Sequence, residues 1–236
     1  MDFPKPLIPA RLVRRYQRFL ADCILEDGRA VTAHCPNTGA MLGCAEPGFP
    51  VWLSRSKNPK RKYPLTWELV EPRSGVLVGV NTGRANALVR EAIEADGIPA
   101  LHGYANLRRE VRFGREGSRV DFLLEGRAGA PPCYIEVKSV TAVQGAGIGI
   151  FPDAVTARGA RHLRELSSVV ELGGRGVIFF CVQRPDVRAV RPADAIDPRY
   201  GETLREALSV GVEALAWRVG IDLQGIRLCE PVPVVL

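Results

Sequence analysis

From its start to about residue 75 the chain offers no helical period, only short apolar stretches cut by Gly, Pro and Asn. Phe19 to Leu25 reads as a strand, and Asp27-Gly28 is a hairpin signal leading into a second strand, Arg29 to His34. Pro36-Asn37-Thr38-Gly39 is another turn, and further strands fit Pro50 to Leu53, Leu65 to Glu71 and Val76 to Val80. About five short strands without a helix between them predict a small closed barrel, such as an OB-fold.

The pattern changes at Asn81. Asn81-Thr82-Gly83 can cap a helix through Leu88, Val89 and Ile93 that stops at Gly97. Strands are expected at Leu107 to Phe113, Arg119 to Leu124 and Cys133 to Val140. Pro152-Asp153 should open a long helix with Leu163, Leu166, Val169 and Val170 on its apolar stripe. A buried strand at Gly176 to Val182, a helix from about Glu202 to Trp217 and a strand near Val219 to Leu223 complete an α/β layout. The expected architecture is therefore an OB-fold-like β-barrel over 1–78, then an α/β domain over 79–236.

No apolar run is long enough to span a bilayer, and the amino terminus carries no signal pattern, so a cytoplasmic protein without membrane contact is expected. Six scattered cysteines without a C-x-x-C pair favour reduced thiols. The net charge is +6, and arginine supplies 27 of the 32 basic residues. GC-rich codon usage explains much of that bias, although guanidinium groups also suit phosphate recognition.

Two central strands carry acids among apolar neighbours. Asp121 alternates with Val120 and Phe122, while Glu136 and Lys138 alternate with Ile135 and Val137. The two-residue period puts Glu136 and Lys138 on one face, about 7 Å apart along the strand. If the strands are neighbours, Asp121 meets Glu136. Paired carboxylates suit Mg²⁺ or Mn²⁺, the Val137 carbonyl can add a ligand, and a lysine can orient water or offset charge on a phosphate. E-x-K also occurs in ordinary exposed strands. Lys138, however, is the only lysine after Lys62 in a chain that otherwise uses arginine there. Arg158 and His162, four residues apart, share a helix face that could hold a phosphate or leaving group. Glu110 is a further candidate acid, with an ion pair to Arg112 or Arg119 as its structural alternative.

Five stretches together resemble the sugar fermentation stimulation protein family: His34 to Gly39, Asn81 to Asn86, Ser118 to Leu124, Cys133 to Lys138 and Phe151 to Leu163. The resemblance spans nearly the whole chain. It implies an N-terminal OB-fold, a PD-(D/E)XK nuclease-like C-terminal domain, DNA binding and a nuclease activity. It also implies a regulatory link to sugar metabolism that the residues do not explain. Asp121, Glu136 and Lys138 carry over as the acid pair and third member. Ala157 and Ala160 stand where larger polar residues are expected.

Arg55, Lys57, Lys60, Arg61 and Lys62 form a basic run with Trp52, Tyr63 and Trp67 nearby, which suits backbone tracking and base stacking. Arg11, Arg14, Arg15 and Arg18 form a second run. DNA is the expected partner and RNA a second candidate. Two readings stay open: a metal-dependent nuclease, or a DNA-binding regulator of sugar fermentation genes on a nuclease scaffold without turnover.

Overall fold

The computed structural model describes residues 1–4, 6–72, 75–114 and 116–236. Five strands build the N-terminal barrel: β1 (Ile8–Tyr16), β2 (Leu20–Leu25), β3 (Ala30–His34), β4 (Pro50–Arg55) and β5 (Leu65–Val70). They run in the order β3-β2-β1-β4-β5, and a parallel β3–β5 contact, Ala33 opposite Leu65, closes the ring. Ala10, Leu12, Ala21, Cys23, Val51, Leu53 and Trp67 fill it. The closed OB barrel expected from the turn spacing is present.

The chain leaves through a short strand, β6 (Val78–Gly79), into an α/β domain. Its main sheet contains β7 (Asn106–Phe113), β8 (Ser118–Glu125), β9 (Cys133–Val140), β12 (Arg175–Val182), β14 (Glu213–Ile221) and β15 (Ile226–Pro231), ordered β15-β14-β12-β9-β8-β7. β9, β12 and β14 are parallel, whereas β7, β8 and β15 join antiparallel. α1 (Gly83–Glu94) packs over Phe122, Ile135, Val137 and Phe179 on one face. α2 (Ala157–Glu171) and α3 (Pro198–Ser209) cover Val120, Ile178 and Phe180 on the other. A small sheet of β10 (Val143–Gln144), β11 (Ile148–Phe151) and β13 (Ala189–Pro192) stands beside it.

Several expectations need correction. β1, the longest barrel strand, is absent from the sequence reading because its arginines hide the alternation and a register shift after Leu12 breaks it. α2 starts at Ala157, not at Pro152-Asp153, because the Thr156 hydroxyl accepts the Gly159 N–H at 3.0 Å and fixes the first turn there. The last helix ends at Ser209. Trp217 lies in β14, where pairing with β12 overrides the helical propensity of Glu213 to Trp217. Residues 1–3 belong by contact to the α/β domain: Phe3 lies in its core, and Asp2 bridges to Gly225.

The barrel is fastened to the α/β domain by polar contacts. Gly79 N–H donates to Gln183 O at 2.8 Å, Met41 N–H to Asp153 Oδ2 at 2.9 Å, and Thr82 Oγ1 to Pro36 O at 2.6 Å. Among the described residues, no helix is long and apolar enough to cross a membrane. All six cysteines are free, five of them buried.

Candidate metal and phosphodiester site

The site is a fork between β8 and β9. Their pairing ends at Phe122 opposite Ile135, so the next residues, Asp121 and Glu136, stand where the strands part. Asp121 bridges the fork: its Oδ2 accepts the Val137 N–H at 2.7 Å, and its Oδ1 accepts from Asn86 Nδ2 of α1 at 2.6 Å. In a strand a residue's N–H and C=O point to the same side, so the Val137 carbonyl also turns toward the fork.

Glu136 and Lys138 leave the α2 face of β9, as the two-residue period requires. Glu136 is buried at 4% exposure, and its Oε1 accepts from Lys138 Nζ at 2.7 Å and from His162 Nδ1. Arg158 Nε donates to His162 Nε2 at 3.3 Å. Arginine has no acceptor, so the imidazole proton lies on Nδ1 and points at Glu136. The second carboxylate oxygen, Glu136 Oε2, is buried without a hydrogen-bond partner. The hydroxyl of Tyr200 on α3 is also buried without one, and the Glu136 charge is felt there.

The two carboxylates are electrostatically unequal. Burial first, and then the Glu136 charge, push Asp121 up to about 6, against the pull of Val137 N–H and Asn86. Burial also pushes Glu136 upward, but the His162 hydrogen bond and the Lys138 charge outweigh it and hold the carboxyl below its ordinary value. Glu136 is thus the standing anion of the pair.

The structure therefore gathers Asp121, Glu136, Val137, Lys138, His162 and Arg158. Glu110 differs. It is exposed, has a left-handed backbone (φ 52°), and makes neither of the ion pairs considered for it. By register it faces Asp121, between the pairs Arg109–Phe122 and Val111–Val120. Among the described residues, no three His, Cys, Asp or Glu side chains form a metal cage. A cation here would take two carboxylates, a backbone carbonyl and solvent, which is a hard-ion donor set. The orphaned, buried oxygen of an anionic Glu136 fits that role.

The basic groups divide. Arg55, Lys57, Lys60 and Lys62 are exposed around the β4–β5 loop, while Arg61 donates to Thr66 Oγ1 at 2.8 Å. Of the aromatics, only Tyr63 stands with them, under Lys62. Trp67 is fully buried barrel core, and Trp52 is half-buried with its contacts against the α/β core. Arg14 is paired with Asp22 at 2.9 Å. Arg15 donates to the carbonyls of Arg18, Asn37 and Gly39, each at 2.8 Å, and so supports the 36–39 loop.

That loop lines a polar cleft of about 320 Å³ with Arg18, Thr82, Ser139 and Asp153, between barrel and α/β domain. Three of the five family stretches thus meet beside the residue after Lys138. A larger cavity, about 550 Å³, is lined by none of the candidate residues.

Family models match both halves, the "SfsA N-terminal OB domain" over residues 13–80 and the "Sugar fermentation stimulation protein RE domain" over 83–225. The chain belongs to the sugar fermentation stimulation protein family. Relatives named sugar fermentation stimulation protein homolog include those of Geobacter metallireducens, 58% identical over all of both chains, and Alkalilimnicola ehrlichii, 56% identical over 99% of each. The family member from Pyrococcus furiosus, whose structure is described as a complex with Ca²⁺, superposes with a TM-score of 0.90. It is 28% identical, over 100% of this chain and 98% of that one.

Sequence reasoning gave Asn86 and Tyr200 no role. Asn86 lies in a stretch that carried the resemblance, so a signal for it existed. Tyr200 comes within the field of the Glu136 charge only through the packing of α3, which no local pattern announces.

Proposed function

We propose that this family member is a divalent-cation-dependent nuclease of the PD-(D/E)XK type that hydrolyses phosphodiesters of DNA, with RNA as a second substrate. The observation that carries the reading is the buried, unpartnered Glu136 Oε2 beside Asp121 at the β8–β9 fork. Asp121, Glu136 and the Val137 carbonyl would hold Mg²⁺ or Mn²⁺. Bound there, the cation would lower the pKa of water and offset charge on the scissile phosphate. His162 fixes the Glu136 carboxylate, and Arg158 fixes His162. Lys138 is held by Glu136 beside the fork, where its ammonium can orient the attacking water and stabilise the charge that develops. The exposed lysines of the β4–β5 loop supply sequence-independent affinity for the phosphate backbone. The Ca²⁺ named for the Pyrococcus furiosus relative supports an oxygen-donor site in the family.

The direct test incubates the purified protein with labelled DNA and RNA in Mg²⁺, Mn²⁺ or EDTA. Product is expected with either metal and none with EDTA. Salt-sensitive binding without product would favour the alternative, a non-catalytic regulator of sugar fermentation genes, for which the family's name speaks.

Metal affinity should also depend on pH. A proton on Asp121 competes with the cation, so Mn²⁺ affinity measured by calorimetry should fall below pH about 6, by up to about tenfold per unit. The stability link has the opposite sense. With its carboxyl raised, Asp121 contributes stability that is fully present below its ordinary value and is lost as pH rises through about 6. Mn²⁺ should therefore raise the Tm more at pH 7.5 than at pH 5; equal shifts would remove Asp121 from the ligand set.

A further inference from the structure

The β7–β8 hairpin carries a charge arrangement that folding alone does not explain. Arg112 and Arg119 are directly opposed across the antiparallel ladder, both exposed, and neither side chain has an ion pair or hydrogen bond among the described residues. Like charges opposed in this way destabilise a hairpin. Arg109, also exposed and unpaired, lies three residues back on β7. β7 is the edge of the sheet, and edges do carry charge to block further pairing. Blocking does not call for two arginines held face to face with no acid paired to either. Elsewhere the chain supplies such an acid readily: Arg175 has Glu213, Arg184 has Asp186, and Arg205 has Asp194.

The position of the three arginines follows from a kink. Leu107, Phe122 and Leu124 pack under α1, yet Val111, Phe113 and Val120 pack under α2, so the buried face of the hairpin switches between these groups. The switch falls at Glu110 and Asp121, and the left-handed backbone of Glu110 provides it. Arg109 precedes the kink, Arg112 and Arg119 follow it, and the fork carboxylate stands at it. Because Val111, Phe113 and Val120 face α2, Arg112 and Arg119 turn away from that helix.

The hairpin is also held in place. Its tip is fixed to α2 by the Glu116 N–H, which donates to the buried Glu165 carboxylate, and by Arg164, whose Nη2 reaches both Glu116 oxygens at 3.2 Å. Gly114 has a left-handed backbone (φ 67°), and a Cβ there would displace the Glu165 carboxylate, so both the turn and the contact of tip with helix favour glycine. The helix that fixes the tip is the one that carries Arg158 and His162.

We propose that the β7–β8 hairpin is a nucleic-acid-binding element, in which Arg109, Arg112 and Arg119 neutralise backbone phosphates of the strand leading to the Asp121–Glu136 fork. It rests on the reading of the chain as a nucleic-acid-processing protein, and it places affinity beside the chemistry as well as on the barrel. The like-charge opposition is relieved when polyanion binds.

The experiment measures equilibrium binding of a labelled duplex and a labelled single strand across a salt series in EDTA, where no cleavage intervenes. The variant is Arg109→Gln/Arg112→Gln/Arg119→Gln. Its log Kd against log salt should be shallower than wild type by roughly 2.7 on duplex and roughly 2.1 on single strand, with affinity at 0.15 M salt weaker by roughly 10²-fold. Arg227→Gln, an exposed arginine on β15, should leave the slope unchanged. The single Arg119→Gln substitution should remove about a third of the effect, which keeps the test valid if the triple variant folds poorly. A wild-type slope in a folded triple variant overturns the hairpin assignment alone. A wild-type protein that binds neither nucleic acid overturns the functional reading with it, and binding without turnover in Mn²⁺ overturns only catalysis.

Discussion

Glu136→Gln is expected to lower metal-dependent cleavage by at least about 10³-fold while nucleic-acid affinity in EDTA stays within about threefold, a shift below 1 kcal/mol. The amide keeps the shape of the carboxyl. Its oxygen can still accept from Lys138 and His162, so its NH₂ must occupy the place of the orphaned Oε2, where it finds no acceptor. There it presents two hydrogens to the cation instead of a lone pair. Calorimetry should detect no Mn²⁺ uptake by this variant. Lys138→Met should separate the roles, keeping Mn²⁺ binding while cleavage drops about 10²–10⁴-fold. Lys138→Arg should not rescue it, because a planar fork cannot replace a compact ammonium in that space. Cleavage by Glu136→Gln within tenfold of wild type would remove the carboxylate from the mechanism.

The parts of this site that could be read in advance follow from element periods. Glu136 and Lys138 share a face because β9 is a strand, and Arg158 and His162 share one because α2 is a helix. Contacts set by register and layer packing could not be read. That Asp121 bonds the Val137 N–H depends on pairing that stops one residue earlier, at Phe122 and Ile135. That His162, rather than solvent, answers Glu136 depends on how α2 lies across the sheet.

The same division holds for the fold. β12 shows as an apolar run because both faces are covered, and β9 shows through the alternation of Ile135 and Val137 with Glu136 and Lys138. β1 does not, because only Ala10 and Leu12 among its nine residues are buried, and three arginines interrupt the half-buried and exposed remainder. Glu213 to Trp217 has helix-forming composition, yet it sits parallel to β12 in the sheet. Gly211, with a φ of 105°, ends α3 and turns the chain into β14. Basic residues were the least legible. Arg15 and Lys60 look alike in sequence, but one supports a loop through three carbonyls and the other is exposed.

The largest effect on stability is expected at the seam between barrel and α/β domain. Glu68 of β5 is 2% exposed and faces Arg84 of α1 at 2.7 Å, with Ser54 Oγ at 2.6 Å and Asn81 Nδ2 at 2.9 Å completing its partners. Arg84 in turn lies 4.9 Å from the Phe3 ring centroid, so it also secures the amino-terminal residues. Burial pushes the Glu68 carboxyl upward, but Arg84, with the hydrogen bonds from Ser54 and Asn81, outweighs it and holds it below the ordinary value. Arg84→Ala leaves that carboxylate buried without its cation, which costs about 3–5 kcal/mol and should lower the Tm by roughly 6–20 °C. The pH response should reverse as well. In the wild type a depressed carboxyl contributes stability present above its ordinary value and lost as pH falls through the native one. Without Arg84 burial raises the carboxyl, so acidification through its titration should narrow the gap to wild type. Glu68→Gln/Arg84→Met, which removes both charges and keeps volume, should recover most of the loss, because two absent charges cost less than one stranded charge. A Tm for Arg84→Ala within 2 °C of wild type, or a double variant no better than the single, would show that this seam is held by packing instead.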